Sequence, residues 1–385
     1  MEDFEFYNPV KIFFGKDQLS KISSQIPKDH RVMLLYGGGS IFRNGVYNKV
    51  KEVIKDYNVT EFGGIEPNPS YETAMEAVVV IKKEKIDFLL AVGGGSVIDA
   101  TKFIAAATLY TRGDPWNILS KKIPVTASLP FGTVLTLPAT GSEMNKNAVI
   151  SRISTTEKLA FSSPYSFPRF SVLLPDAAAS LPKKQVANGI VDAFVHVTEQ
   201  YLTYPVNAPI QDRFAEAILK TLIEEGPKVF ADPADYNAMA NLMWSATMAL
   251  NGLIQCGVPG DWSVHSIGHE LTAFHGIDHA QTLAIVLPGL WKALREEKKD
   301  KLLQYGVRVW NITTGTEDER VDAAIARTVE FFESLGIKTR LSDYNIGRET
   351  IERIVKRFEE RKWLELGDRG LTTPSVTKQA LEYQL

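Results

Sequence analysis

The sequence predicts an α/β first half followed by an all-helical second half. Short apolar runs alternate with amphipathic stretches over roughly the first 178 of 385 residues. Runs of this kind, rich in Val, Ile, Leu and Phe, are typical of buried parallel strands. After Pro182 the apolar residues recur at helical spacing instead. We therefore expect domains at 1–178 and 179–385, connected by PDAAASLP, in which Pro182 suits the first turn of a helix.

The individual elements follow from the same patterns. Amphipathic stretches between the apolar runs predict helices, for example over 71–85. The predicted strands of the first half are 31–36, 87–92, 133–137 and 170–174. The predicted long helices of the second half include 183–202, 234–251 and 316–335.

Composition excludes several classes of function. With 43 basic and 46 acidic side chains the net charge is −3, which offers no electrostatic footprint for nucleic acid or an anionic membrane. The acidic start, MEDFEFYNPVKIFFG, is unlike a signal peptide, and no apolar stretch approaches the ~20 residues that span a bilayer. The single cysteine, Cys256, cannot form an intramolecular disulfide and is interpreted as a buried structural thiol. We expect a cytoplasmic protein.

The motif GGGS occurs twice in the first half, at 37–40 and 93–96, each time directly after a predicted strand. Glycines there let the backbone turn sharply and approach a ligand, while the following helix offers unpaired amides to a phosphate. Each copy alone is equally consistent with a plain tight turn, in which Ser96 caps a helix with Asp99 three residues later. Two copies favour a nucleotide site, because open α/β sheets bind ligands at the carboxyl ends of their strands.

A third segment, LTLPATGSEMNKN at 135–147, also leaves a predicted strand. It carries the hydroxyls of Thr136, Thr140 and Ser142, which can bind phosphate, ribose or a carboxamide. On its own this segment is more typical of a helix cap. Only together with the two GGGS turns does it support a nucleotide site.

Four of the six histidines lie in HSIGHELTAFHGIDH, residues 265–279. His265 and His269 share a helix face, since an α-helix turns about 100° per residue. In one straight helix His265 and His279 would be ~21 Å apart, too far to bind one ion at ~2.1 Å. If both bind the same metal ion, the helix must end between them, and Gly276 offers the break.

A second pair at helical spacing, Asp192 and His196, occurs in GIVDAFVHVTEQ, beside the apolar residues Ile190, Phe194 and Val195. A carboxylate in such surroundings needs a partner, and an ordinary Asp–His link satisfies that need as well as a metal does. The two pairs together supply one oxygen and three nitrogens, which suit a divalent first-row metal, iron or zinc, with a position open for substrate. The predicted metal ligands are Asp192, His196, His265 and His279.

These motifs resemble the iron-containing (group III) alcohol dehydrogenases, and within them the branch of butanol dehydrogenases and NADPH-dependent aldehyde reductases. The resemblance covers essentially the whole chain. It is carried by the GGGS turns and by EPNPSYE at 66–72, PATGSE at 138–143, DAFVH at 192–196 and HSIGHELTAFHGIDHAQTLAIVLP at 265–288. It implies a dehydroquinate synthase-like architecture, with an N-terminal Rossmann-like dinucleotide-binding domain and an all-helical C-terminal metal-binding domain.

The resemblance also implies roles for single residues. The family's metal ligands fall on the same four residues, and its non-ligand histidine near the metal falls on His269, a candidate proton carrier; His275 is a weaker candidate. The family's pyrophosphate contacts fall on Gly94, Gly95 and Ser96, and its contact on the nicotinamide side falls on Asp99. Its contacts to the phosphates and ribose fall on Thr136 and Thr140. A contact to a ribose hydroxyl falls on Lys158, and a residue that lines the cofactor falls on Asn68. The residues alone would indicate only a surface lysine at 158 and a Pro-flanked turn at 68.

The end of the first predicted strand bears on which dinucleotide is bound. NAD enzymes often place an acid there to bind the ribose 2′-hydroxyl, whereas this chain has YGGGSIFR. No carboxylate repels a 2′-phosphate, and the residues available to bind one are Gly37, Gly38 and Ser40, together with Arg43. The segment favours NADP(H) over NAD(H), although it is also consistent with a simple turn.

The predicted reaction is reversible hydride transfer between nicotinamide and a small aldehyde or primary alcohol. A metal ion acts as Lewis acid, and His269, or a water and ribose relay, delivers the proton. A metallohydrolase, a lyase of the dehydroquinate synthase type and a non-catalytic binding protein are the alternatives. A hydrolase needs no Gly-rich turns, a lyase needs the nucleotide only transiently, and a binding protein leaves the metal-ligand set unexplained. The predicted pocket residues are Met144, Asn145, Trp262 and Phe274, and the resemblance implies a homodimer.

Overall fold

The computed structural model describes residues 1–385, and the chain forms two compact units. One unit comprises Tyr7–Pro182 and Ala231–Thr247. The other comprises Met1–Phe6, Lys183–Phe230 and Met248–Leu385. The domain bounds expected from the sequence, 1–178 and 179–385, stay a prediction.

The first unit is built on a parallel sheet of six strands in the order β1-β8-β5-β4-β2-β3. The strands are β1 (Lys11–Phe14), β2 (Arg31–Gly37), β3 (Asn58–Ile65), β4 (Phe88–Gly93), β5 (Phe131–Leu135) and β8 (Phe170–Leu173). A separate antiparallel hairpin consists of β6 (Asn147–Arg152) and β7 (Glu157–Ser162). The helices are α1 (Ser40–Arg43), α2 (Val46–Val53), α3 (Tyr71–Glu84), α4 (Gly95–Leu109) and α5 (Asn117–Ser120).

Burial explains which strands the sequence predicts well. Every residue of β4 and β5 is buried, because helices cover both faces of a parallel sheet and leave its central strands as continuous apolar runs. The register pairs Leu34 with Leu90 and Ala91 with Thr133. All four predicted strands are present to within two residues at each end. The edge strands β1 and β3 were not predicted, because their partly exposed faces carry no unbroken apolar run.

The second half of the chain is helical, as predicted. Its helices are α6 (Lys183–Tyr201), α7 (Pro209–Ala231), α8 (Tyr236–Ala249), α9 (Ser263–His275), α10 (His279–Ala293), α11 (Arg295–Trp310), α12 (Glu317–Ser334), α13 (Arg348–Glu360) and α14 (Pro374–Glu382). Short 3-10 helices occur at Gln18–Ser24, Ser142–Met144, Ile153–Thr155, Pro164–Ser166, Pro175–Ala178 and Ser342–Tyr344. None of the helices combines the length and apolar character needed to cross a lipid bilayer.

Local signals set several helix ends. Ser70 Oγ accepts from the Thr73 amide at the start of α3, and Thr316 with Glu319 forms a capping box at the start of α12. The α/β first half and all-helical second half confirm the fold class expected from hydrophobic periodicity.

Candidate functional site

The predicted metal ligands lie on three helices, α6, α9 and α10. Asp192 and His196 lie one turn apart on α6. α9 ends just before Gly276, which takes a left-handed conformation with a φ of +67°, and α10 begins at His279. Glycine tolerates this conformation because it has no Cβ, and a left-handed glycine is a common helix terminator. The break required between His265 and His279 is therefore present, as predicted.

The side chains of these segments converge. Ligand atoms of Asp192, His265 and His279 all lie within 4.8 Å of one another. His279 Nε2 is 3.7 Å from Asp192 Oδ1, and His196 Nε2 is 3.6 Å from the same oxygen. The ring of His196 stacks on that of His265 with a centroid distance of 4.8 Å. Three of the four predicted ligands thus form one cluster, and the fourth, His196, lies beside it against Asp192 and His265.

The cluster fits a divalent cation. Asp192 is 3% exposed, and its Oδ1 has no hydrogen-bond partner. A buried carboxylate without such a partner is costly unless a positive charge compensates it. One carboxylate oxygen with imidazole nitrogens is a donor set for a first-row metal, and both iron and zinc match it.

A buried carboxylate that the sequence analysis missed, Glu199, contacts the cluster. It lies on α6 seven residues after Asp192, and its carboxylate contacts Nδ1 of His265. Burial, followed by the charge of Asp261, raises the pKa of Glu199 well above its usual range, against the effect of backbone donors from α9. The i, i+7 spacing from Asp192 is a signal that places Glu199 on the same helix face.

The two remaining histidines of the 265–279 segment, His269 and His275, differ in position. His269 is partly buried, and its ring centroid lies 5.2 Å from that of His279 and 6.3 Å from that of His265. His275 lies at the end of α9 with Nε2 2.9 Å from Thr350 Oγ1. Burial, followed by the nearby Arg353 charge, lowers the pKa of His275. Of the two, His269 is the one placed beside the cluster.

The two GGGS turns lie at the carboxyl ends of β2 and β4, which are neighbours in the sheet. α4 begins at Gly95, and Gly94 precedes it with no side-chain cap, so the interpretation of Ser96 as the N-cap is wrong. The first amides of α4 are therefore not capped by a side chain. Such amides at a strand-to-helix turn suit a phosphate.

The glycines of the two turns differ in the space around them. A Cβ on Gly95 would lie 2.4 Å from Thr140 Oγ1, so packing within the protein excludes a side chain there. A Cβ on Gly38 would meet no atom within 4 Å. Gly38 and Ser40 are both exposed. The protein's own packing gives no reason for the absence of a side chain at Gly38, which is consistent with close approach of a ligand.

Hydrogen bonds join the segment after β5 to the end of β4 and to α4. The amide of Thr136 donates to Gly93 O at 3.0 Å, and Thr140 Oγ1 accepts from the Ser142 amide at 3.1 Å. Asp99 Oδ1 accepts from Ser142 Oγ at 2.6 Å, and its Oδ2 accepts from the Val149 amide at 2.9 Å. Burial raises the pKa of Asp99. These bonds hold the 136–142 segment against the start of α4.

Lys158 and Asn68, which only the family resemblance indicated, lie together. Lys158 Nζ donates to Asn68 Oδ1 at 2.8 Å across 90 residues of sequence. Lys158 is 4% exposed, so its interpretation as a surface lysine is wrong. The error arises because β7 belongs to the hairpin, an element that the sequence did not predict.

The four predicted pocket residues have different surroundings. The Trp262 ring lies 5.5 Å from that of His265, beside the cluster. Asn145 is instead buried and accepts from Lys102 Nζ at 2.9 Å. Phe274 packs beneath the guanidinium groups of α13, with Arg353 4.0 Å from its ring centroid. The backbone carbonyl of Met144 accepts from the side-chain amide of Asn8.

A buried carboxylate–histidine cluster, in a chain that also has glycine-rich turns on a parallel sheet, is typical of metal- and dinucleotide-dependent oxidoreductases. Residues 9–175 match the family described as iron-containing alcohol dehydrogenase, and residues 186–366 match the C-terminal domain of the same family. The chain belongs to the iron-containing alcohol dehydrogenase family. The match to its solved structures confirms the dehydroquinate synthase-like fold.

Individual relatives cover nearly the whole chain. The NADPH-dependent aldehyde reductase YqhD of Escherichia coli is 55% identical over 386 residues, 99% of each chain. NADP-dependent alcohol dehydrogenase 3 of Entamoeba histolytica is 44% identical over 93% of this chain and 94% of its own. The structure of NADH-dependent butanol dehydrogenase A from Thermotoga maritima superposes with a TM-score of 0.95 at 36% identity, covering 100% of this chain and 99% of its own.

Proposed function

We propose that this protein is an NADP(H)- and divalent-metal-dependent alcohol dehydrogenase that interconverts small aldehydes and primary alcohols. The observation that carries the proposal is the convergence of Asp192, His265 and His279, whose ligand atoms lie within 4.8 Å of one another. Family membership supports it, as does the 55% identity to a relative named as an NADPH-dependent aldehyde reductase.

The proposed ligands are Asp192, His196, His265 and His279. When bound, the dinucleotide supplies the hydride and the divalent ion supplies Lewis acidity at the substrate oxygen. The ligand set carries only one negative charge, that of Asp192, and so leaves the site net positive for a developing alkoxide. His269, beside His279, holds a proton on a ring nitrogen and delivers it to that oxygen as the alcohol forms.

The dinucleotide is proposed to bind along the carboxyl ends of β2, β4 and β5. Its pyrophosphate is assigned to the uncapped start of α4, and its 2′-phosphate to the exposed turn after β2. The proposed contacts are Gly37, Gly38, Ser40, Asn68, Gly94, Gly95, Ser96, Asp99, Thr136, Thr140 and Lys158. No carboxylate occurs in YGGGSIFR, which supports NADP(H), whereas several relatives about 40% identical carry names that specify NADH.

The alternative functions are less well supported. A metallohydrolase would be indifferent to dinucleotide, and a lyase of the dehydroquinate synthase type would not consume NADPH. The relatives named as dehydrogenases and reductases cover more than nine-tenths of the chain, which favours net redox chemistry. A non-catalytic binding protein would not require the buried cluster around Asp192.

An absorbance assay tests the proposal. Metal-depleted protein is supplied with Fe²⁺ or Zn²⁺ in turn and mixed with NADPH and a panel of short-chain aldehydes, and the decrease at 340 nm is followed. We expect turnover only after metal is restored, with NADPH used more efficiently than NADH. Stoichiometric NADP⁺ and alcohol must appear together. Loss of substrate without NADPH consumption would instead indicate hydrolase or lyase chemistry.

We further propose that the protein is cytoplasmic and forms a homodimer. The family resemblance and the single buried thiol, Cys256, support these assignments. Light scattering after size exclusion distinguishes a mass of 42.8 kDa from twice that value.

A further inference from the structure

The buried carboxylate of Glu199 accepts bonds from the start of α9. Its Oε1 accepts from the Val264 amide at 2.7 Å, and its Oε2 accepts from the His265 amide at 3.3 Å. The same Oε2 contacts Nδ1 of the His265 ring. Glu199 is 3% exposed, so water does not compete for these bonds.

The two amides belong to the first turn of α9, where backbone N–H groups have no partner within the helix. The N-cap residue of α9, Trp262, does not accept a hydrogen bond from these amides through its side chain. Glu199 therefore caps α9 from α6 through these two backbone hydrogen bonds. Because α6 also carries Asp192 and His196, this cap joins two of the three helices that carry the proposed ligands, α6 and α9.

The segment that leads into α9 is held to α6 as well. The amide of Asp261 donates to the backbone carbonyl of Glu199 at 2.8 Å. The side chain of Asp261 accepts from Lys298 Nζ at 2.7 Å, and Lys298 also donates to Leu202 O, just past the end of α6, at 2.7 Å. Glu199 thus lies in a segment whose backbone is fixed independently of any metal ion.

We propose that Glu199 is a positioning residue for the metal site: it binds Nδ1 of His265 and thereby presents Nε2 to the ion. The proposal rests on the proposed function, in which His265 is a ligand. A carboxylate on the far ring nitrogen fixes both the tautomer and the ring orientation and makes the coordinating nitrogen more basic. Loss of such a partner typically lowers metal affinity about 10- to 100-fold.

Cobalt titration of metal-depleted protein tests this role. Wild type, Glu199→Gln and the control Glu270→Gln are titrated with Co²⁺, with the visible d–d absorption and competition against a chelator giving the Kd. Glu270 is a matched control, because it is a buried carboxylate, 1% exposed, on α9, the helix that carries His265, and it pairs with Arg357 on α13. Circular dichroism of each metal-free protein reports folding.

We expect the Kd for Co²⁺ to rise about 10- to 100-fold in Glu199→Gln, with a changed d–d band, while Glu270→Gln stays within threefold of wild type. A Glu199→Gln variant that binds Co²⁺ as tightly as wild type, with the same spectrum, would overturn the proposal. If wild type itself binds no Co²⁺, the metal assignment in the proposed function fails first, which separates the two failures.

A second measurement applies if Glu199→Gln does not fold. Nitrogen-15 NMR of histidine-labelled, zinc-loaded wild type identifies which ring nitrogen of His265 carries a proton and which binds the ion. A protonated Nδ1 with a metal-bound Nε2 supports the proposal. Metal bound through Nδ1 contradicts it, because that nitrogen then cannot bind Glu199.

Discussion

Replacing Gly95 by alanine should destabilise the first unit through one identifiable clash. The added Cβ would lie 2.4 Å from Thr140 Oγ1 and 2.5 Å from its Cγ2, against an ordinary contact distance of at least 3.4 Å. The overlap is therefore about 1 Å and falls on one side chain. Overpacking of this kind costs about 1–3 kcal/mol. Since Gly95 is the first residue of α4, gain in helix propensity offsets little of that cost.

Urea denaturation of four proteins measures the effect: wild type, Gly95→Ala, Thr140→Ala and the double variant. Truncation of Thr140 removes the two closest atoms and leaves its Cβ at 3.0 Å. We therefore expect the double variant to be more stable than additivity of the single changes allows, by about 1 kcal/mol.

Gly38→Ala is the matched control, since a Cβ there meets no atom within 4 Å. Its free energy of unfolding should match wild type within ~0.5 kcal/mol. Its KM for NADPH should nevertheless rise, because the proposed 2′-phosphate site is the turn itself. Strict additivity at Gly95 and Thr140, or a Gly38→Ala variant as unstable as Gly95→Ala, would refute the reasoning.

Three further changes have defined outcomes. His265→Ala should abolish both metal retention and turnover, measured by elemental analysis and the 340 nm assay, whereas His30→Ala, outside the cluster, should keep both. Lys298→Met should lower the free energy of unfolding by about 3–5 kcal/mol, because it leaves the Asp261 carboxylate buried without its ammonium partner. The exposed pair of Lys55 and Glu52 provides the control, since Lys55→Met should not measurably change the free energy of unfolding. Burial lowers the pKa of Lys102 to about 8 from 10.5. As pH rises, the folded protein therefore loses this proton before the unfolded chain does, and between pH 8 and 10.5 the unfolded chain binds more protons. The free energy of unfolding should rise by up to about 3 kcal/mol over that range. Lys102→Met should lack that gain when unfolding is followed across the same pH range, and equal pH slopes for both proteins would contradict the assignment.

The sequence predicted the strands in which every residue is buried. β4 and β5 are covered on both faces and so appear as unbroken apolar runs, while β1 and β3 lie at the sheet edges and do not. The hairpin β6–β7 was missed for a related reason, since half-buried residues in β6 and exposed residues in β7 interrupt the buried positions and no strong turn signal joins the strands. Helix ends followed from glycine, proline and capping residues, as at Gly276.

The residues of the proposed metal site could also be predicted in part from the sequence. Helical spacing pairs Asp192 with His196, and Gly276 allows His279 to return toward His265. Spacing alone does not show that α6 packs against α9. Side-chain periodicity identifies which residues share one face of a helix, but it does not identify the element that packs against that face. The contact between Glu199 and His265 depends on how these helices pack, and no local pattern predicted it.

The sequence by itself determined the chemistry that the chain offers: which residue types can bind a cation, where glycines permit close approach of a phosphate, and which segments become strands or helices. These are short-range properties of side chains and backbone. The tertiary structure decided which groups meet, as with Lys158 and Asn68, 90 positions apart, or the cap that Glu199 provides for α9. Such contacts depend on the packing of distant segments, since long-range proximity is a property of the folded core and not of any window of sequence.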